Sequence, residues 1–556
     1  MPRRPYRARN SHGASAFSFP APLAAVATLA MAASAALPGP SAAQVSDADR
    51  AVVQRIVEEG MERSQVMEHV IWLADVLGPR LTGSPAFQAS GAWAVERLQS
   101  WGLENARLEH FPLGRGWSLE RFSAHLLEPQ VQPIIGMPRS WTDGTGGPVV
   151  ADVVYAPILA EEDFERYRGR LAGRIVLTQT ARDVNMIEGR VTLRMTEAEI
   201  EEARTIADPR AAAAAARAAA GPSVAERTPP PPPRPSAAQI RDFYEEEGAL
   251  ALLERGPDSD VAPGGSDLSW TTQRLDGGTI FVTAGGSRDP DAAPGLPNVV
   301  LAVEHYNRMV RVLERGIPVR MELDVRTRFH PEPPEGNGFN VLAEIRGSDP
   351  QVGHEVVLIG GHLDSHHGAT GATDNATGVA AMMEAMRILK ALDARPRRTI
   401  QVGLWGAEEQ GLLGARNYVE RHLVAEGEPR EGYAGFSAYY NLDNGTGAVR
   451  GIWLEGNEAA GPVFSSWMEL PELAALGVDI LGPRVVGSTD HAAFTRAGLP
   501  GFQFIQERLE YRSRTHHTNI DTVDRVQAED VRQQAVVAAI FAWLTAQHPE
   551  LIPRPR

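Results

Sequence analysis

The chain has 556 residues, 43% of them hydrophobic and 22% charged. That is length for roughly two to four domains, and it excludes a disordered or multi-span membrane composition. The 70 acidic against 54 basic side chains give a net charge of −16, which disfavours a nucleic-acid-coating role, because neutralising phosphates calls for net positive charge or a basic stripe. There is no cysteine. Disulfides, thiolate nucleophiles and Cys-ligated clusters are excluded, and any metal must sit on His, Asp and Glu.

Arg3, Arg4, Arg7 and Arg9 precede an apolar run from Ala21 to Leu37 and the small residues Ser41, Ala42 and Ala43. This order reads as a secretory signal cleaved near Ala43–Gln44. The run is too short and too broken by proline to span a bilayer, and a lipid anchor would need a cysteine, so a secreted or periplasmic protein without a membrane anchor is expected.

From Asp47 to about Gly102 apolar residues recur at helical spacing, as in Val66, Val70, Leu73 and Leu77, with a breaker-rich loop from Gly78 to Pro85. The middle of the chain carries short β-rich runs, Val149–Val154, Arg174–Thr178, Thr279–Thr283 and Met321–Val325, and reads as a β-rich domain. Within it lie the alanine-rich run Ala211–Ala220 and five prolines, Pro229–Pro233, which cannot join a sheet interior. From Asn340 strands and helices alternate: strands at Val341–Ile345, Val356–Gly360, Thr399–Leu404, Ala438–Leu442, Ile452–Leu454 and Gly501–Ile505, and helices at Ala376–Leu392, Gly411–Arg421 and Ala528–Ala546. The expected fold class is α/β, a mostly parallel mixed sheet flanked by helices with an inserted β-rich domain. The expected divisions are a signal at 1–43, a helical part at 44–125, the β-rich insert at 126–330 with a low-complexity segment at 205–236, and the α/β part at 331–556.

In such sheets ligands bind beyond the carboxyl ends of the strands. Reading those ends picks out His362 and Asp364, Asp374, Glu408 and Glu409, and Asp443; His517 follows near the C-terminus. Two imidazoles and three carboxylates, His362, Asp374, Glu409, Asp443 and His517, suit zinc, and a bridging Asp374 would give two ions the private pairs His362 with Asp443 and Glu409 with His517. Adjacent side chains do not easily point at one metal, so if Glu409 ligates, Glu408 is free to act as general base on metal-bound water. Asp364 suits the carboxylate that orients a ligating imidazole. Each residue alone has a plainer reading, as a helix cap, a solvated acid or a structural histidine; the set is what carries the chemistry.

The local strings are Gly361-His362-Leu363-Asp364-Ser365, Gly371-Ala372-Thr373-Asp374-Asn375-Ala376-Thr377-Gly378, Trp405-Gly406-Ala407-Glu408-Glu409-Gln410-Gly411, and His517-Thr518 with Asp521-Thr522. With them the chain resembles, from about Val66 to its C-terminus, the M28 family of zinc aminopeptidases and carboxypeptidases, especially the carboxypeptidase Q-like branch with an inserted protease-associated domain. The resemblance implies a co-catalytic exopeptidase with two Zn2+ per chain, the five ligands above and Glu408 as base, acting on peptides or dipeptides. An aminopeptidase type is the favoured expectation and a carboxypeptidase or dipeptidase the alternative. A glutaminyl-cyclase-like acyltransferase is opposed by His362, and a ligand-binding ectodomain by the retention of all five ligands. His517 is preferred over its neighbour His516 because the family's ligand directly precedes Thr or Ser. Asp490 and His491, in a segment with one inserted residue, are candidates for facing substrate, His366 and His367 are read as loop residues, and the pocket is expected from loops including Arg80–Ser84 and Pro471–His491. Substrate end and oligomeric state, a homodimer included, are left open.

Overall fold

The computed structural model describes residues 45–184, 192, 194–207, 234–256 and 277–555. The expected signal and the alanine and proline runs lie outside them. Among the described residues no helix is long and apolar enough to cross a membrane.

Local sequence starts the N-terminal helices. Ser46 and Ser84 each accept a backbone N–H of the turn that follows, from Asp49 at 3.1 Å and Phe87 at 3.2 Å, and Pro85 sits in the first turn of its helix, where a missing N–H costs nothing. These caps open the helices Asp47–Glu62 and Pro85–Ser100.

The helices cover an eight-stranded sheet whose strands run, edge to edge, Glu104–Phe111, Gly338–Ile345, Thr399–Trp405, Val356–His362, Phe436–Asn441, Gly501–Gln506, Val449–Trp453 and Ile480–Gly482. The four strands from Thr399–Trp405 to Gly501–Gln506 pair in parallel, and so does the far edge pair; the remaining pairings are antiparallel. Side-chain alternation splits the core into two layers. Val357, Ile359, Val402 and Tyr440 pack into the cluster that includes the helices Thr377–Ala391 and Ala528–Gln547, while Leu358, Trp405 and Tyr439 face Tyr418 and Phe494 on the other side. The long helices are buried on nearly every side, which is why their sequences are apolar with little polar face.

A second sheet of eight strands has Arg320–His330 antiparallel to both its neighbours, Gly116–Glu128 and Val149–Tyr155, and then Ile175–Leu177, Ala251–Glu254 and Asn298–Leu301 follow Val149–Tyr155 in parallel. The chain changes sheets between Phe111 and Gly116, upstream of the division at 125/126 read from sequence, which falls inside Gly116–Glu128. Two strands follow one another there, so the residue pattern does not change; only the pairing partner does. Thr279–Thr283 also differs from expectation. It forms no strand of this sheet; Phe281 bridges Thr518, the Val282 N–H donates to the His517 carbonyl at 2.9 Å, and the Asn519 N–H donates to the Ile280 carbonyl at 3.1 Å. Its β-type residues serve to brace a loop of the first sheet.

The N-terminal helices are tied to the helix after Asp374 by a buried ion cluster. Arg387 reaches Glu59 at 2.9 Å and Glu384 at 2.8 Å, and Glu384 also accepts the Gln65 N–H at 2.9 Å. Arg387 and Glu384 are buried, so removing one partner strands a charge in the core. Arg387→Met is expected to lower the unfolding free energy by about 3–5 kcal/mol, read as a lower denaturant midpoint.

Candidate active site

Three neighbouring parallel strands end side by side and deliver the polar cluster: His362 closes its strand, Glu408 and Glu409 follow Thr399–Trp405, and Asp443 follows Phe436–Asn441. Asp374 comes from the turn before the helix Thr377–Ala391, and its peptide bond to Asn375 is cis. The His362 Nδ1–H donates to the Asp364 backbone carbonyl at 2.9 Å, turning Nε2 toward Asp374 Oδ1 at 3.2 Å and Asp443 Oδ1 at 3.3 Å. On the other side of the same carboxylate, His517 Nε2 lies 3.2 Å from Asp374 Oδ2 and 3.0 Å from Glu409 Oε2. Asp374 therefore stands between two imidazole and carboxylate pairs. His516 is stacked on His517 and stays 4.0 Å from Asp374, so of the adjacent histidines it is His517 that meets both acids.

The electrostatics follow from crowding charge away from water. Burial works against a charged His362, but Asp443, Asp364 and Asp374 outweigh it and raise its pKa well above the usual value. His517 is pushed up to about 10 in the same way, burial being overcome by Glu409 and Asp374. Asp374 moves far down because His362 and His517 outweigh its burial, and Glu409 moves down because His366 and His517 do the same. Burial pushes Glu408 well up; His362 opposes this, while Asp443, Glu409 and Asp490 add to it. Asp374 Oδ2 and Glu409 Oε1 are buried and make no hydrogen bond of good geometry. Imidazole and carboxylate donors converging on such oxygens fit a zinc site, since a cation would satisfy them and offset the repulsion among the acids.

Other groups hold this geometry. The Asp364 carboxylate lies 3.6 Å from His362 Nδ1, beyond hydrogen-bond reach, and instead accepts the N–H groups of Glu408 at 3.1 Å and Glu409 at 3.4 Å. Its orienting contact with the imidazole is made by its backbone carbonyl, and its carboxylate fixes the neighbouring loop. Asp521 accepts the N–H groups of Thr373 at 2.6 Å and Asp374 at 3.1 Å, and its pKa is raised to about 7, first by burial and then by Asp374.

Residues 340–542 match the family model for Peptidase family M28. The chain carries a peptidase family M28 domain. Carboxypeptidase Q of Homo sapiens is 26% identical over 515 residues, covering 92% of this chain and 91% of that protein. Among solved structures, an M28 peptidase precursor from Shewanella amazonensis shares the fold with a TM-score of 0.62 at 24% identity, over 92% of this chain and 99% of that one. A zinc aminopeptidase from Bacillus subtilis does so with a TM-score of 0.51 at 18% identity, over 86% and 94%. M28 peptidases are zinc-dependent enzymes, and the curled, helix-flanked mixed sheet of this chain is theirs.

The polar cluster opens into a pocket of about 380 Å3 whose wall includes Glu408, Gly487, Ser488, Thr489 and Tyr511. Asp490 and His491 are fully buried; Asp490 is not on the wall, and His491 turns to Glu455 at 3.2 Å. Three arginines, Arg416, Arg496 and Arg512, also line the pocket. They come from separate elements, and nothing in the sequence singles them out from the many other arginines. His366, read as a loop residue, is buried with Nε2 2.9 Å from Glu409 Oε2; its spacing of four from His362 was the available signal. His367 contacts the second sheet's side instead, at the Pro138 carbonyl, 2.7 Å away.

Arg80 corrects another expectation. It is fully buried and forms no part of the pocket wall. Its guanidinium donates to the carbonyls of Leu73 and Thr370 at 2.9 Å and of Leu363 and Gly371 at 2.8 Å, and its N–H donates to Ser365 Oγ at 3.0 Å. A flat five-donor fork tied to four carbonyls pins both ends of the loop between His362 and Asp374. Arg80→Lys, whose point charge cannot serve them all, is expected to cost about 3 kcal/mol or more, measured as a lower thermal midpoint.

Proposed function

We propose that the protein is an exported dizinc metallo-exopeptidase that removes a terminal residue from short peptides or dipeptides. The observation that carries this reading is Asp374, whose two oxygens face His362 with Asp443 on one side and His517 with Glu409 on the other. Two such positions sharing one carboxylate suit two ions. Zinc bound there would acidify water and polarise the scissile carbonyl. Glu408, on the pocket wall and beside the cluster, takes the proton of the attacking water and returns it to the leaving amine. Asp364 holds Glu408 and Glu409 in place through their N–H groups. The β-rich segment that leaves and re-enters the first sheet is read as the protease-associated insert. Convergence of all five proposed ligands favours hydrolysis over cyclase chemistry or a binding ectodomain.

A second reading concerns the substrate end. Besides the proposed ligands and Glu408, the described pocket wall offers no carboxylate for a free amine, whereas Arg416, Arg496 and Arg512 supply guanidinium groups suited to a carboxylate. This favours the carboxypeptidase or dipeptidase type over the aminopeptidase type expected from sequence.

Chelation should abolish hydrolysis, and added zinc should restore it. Glu408→Gln should lower kcat by about 10²–10⁴-fold with zinc content by elemental analysis unchanged; near-normal turnover by the zinc-loaded variant would refute the assigned base. Replacing Arg416 and Arg496 together by Ala should raise KM about tenfold or more for a dipeptide with a free carboxylate, and leave its C-terminal amide unaffected.

A further inference from the structure

The two sides of Asp374 are not equivalent. On the His362 side the neighbouring donors are those of His362, Asp374 and Asp443, a set of three whose ligand atoms lie within 4.8 Å of one another. On the His517 side two further sets meet, His366 with Glu409 and His517, and Asp374 with His516 and His517. His516 stays 4.0 Å from Asp374 and stacks on the His517 ring, whereas His366 comes into direct reach of an acid. His366 Nε2 approaches Glu409 Oε2 to 2.9 Å, and its ring meets that of His517 edge-on with centroids 4.3 Å apart. The ring is buried, and its other nitrogen, Nδ1, has no hydrogen-bond partner, so its polar contact is made at the end that faces Glu409 and His517. A small void of about 10 Å3 lies beside these groups, lined by His366, Asp374, Glu409 and His517. That is about the room of one water-sized sphere, apart from the larger pocket where a substrate would enter.

A zinc position with three protein donors keeps a place open for water or substrate, whereas one with four is closed and retains its ion. We propose that His366 is a fourth protein ligand at the second metal position, alongside Asp374, Glu409 and His517. The inference rests on the dizinc reading above and divides the labour between the ions. The position at His362 and Asp443 stays open for the reaction; the position at His366 holds its ion firmly and anchors the bridging carboxylate. The ligand is a zinc-class divalent cation, because an additional imidazole favours zinc over calcium or magnesium.

The test uses the full mature chain loaded with zinc. X-ray absorption should count three imidazoles for two zinc ions in the unaltered protein and two in His366→Ala. Competition with a chromophoric chelator should show one ion held tightly in the unaltered protein, with its affinity falling about tenfold or more in the variant. His366→Asn, which keeps a polar side chain of similar reach, provides a second variant with the same expected count, and circular dichroism checks that both fold. Two imidazoles for two zinc ions in the unaltered protein would overturn the assignment and leave the dizinc reading intact, His366 then being a hydrogen-bond partner of Glu409. Saturation at one zinc would overturn both.

Discussion

The structure turns on gathering negative charge where water is scarce. Asp364, Asp374, Glu408, Glu409 and Asp443 converge at the ends of three adjacent strands, and like charges brought together in a poorly solvated site repel strongly unless something positive lies among them. Part of the compensation belongs to the chain itself: the imidazoles of His362 and His517, the backbone N–H groups held by Asp364 and Asp521, and the buried guanidinium of Arg80, whose pKa of about 10 reflects burial opposed by Asp521, Asp364 and Asp374. What remains is a demand for cations, met in the zinc-dependent M28 family by metal.

The rest of the fold keeps that charge in register. Parallel pairing makes three strand ends neighbours and so gathers His362, Glu408, Glu409 and Asp443, while Asp374 and His517 are brought to them by a turn and a loop. The loop that bears His366 and His367 and the turn at Asp374 are tied to Arg80, and through the Arg387 cluster the next helix is tied to the N-terminal helices. The chain that links strands of the second sheet contributes as well. Its segment at Ile280 and Val282 pairs with the backbone of His517 and Asn519, so the imidazole on the far side of Asp374 is held partly by a remote stretch of chain. The β-rich portion is thus mechanically joined to the site.

On the substrate side, polarity changes abruptly. The floor of the pocket is anionic and claimed by the proposed metal ligands and base, while Arg416 and Arg496 stand on its exposed part and Arg512 lies against His516. A peptide whose carboxylate met these guanidiniums would lay its scissile bond toward the acids, which couples selection of the chain end to placement of the bond.

The amino-acid sequence by itself determined the elements and the ligand-type residues. Strands and helices near Val356, Thr399, Thr377 and Ala528 are legible because burial on a sheet face or between helices imposes periodicity on neighbouring residues; His362, Glu409 and Asp443 stand out because they lie at or just after strand ends, and Asp374 and His517 because of their distinctive strings. Tertiary structure alone decided what depends on groups far apart in the chain. Arg80 reads as a loop residue until its four carbonyl acceptors come together, and Thr279–Thr283 reads as a strand until its partner proves to be the His517 loop. Asp364 acts through its carbonyl on one residue and its carboxylate on others, and His366 gains chemical meaning only where Glu409 and His517 meet it. Periodicity is a local record of burial; a hydrogen bond or a shared ligand sphere between residues tens or hundreds of positions apart leaves no such record.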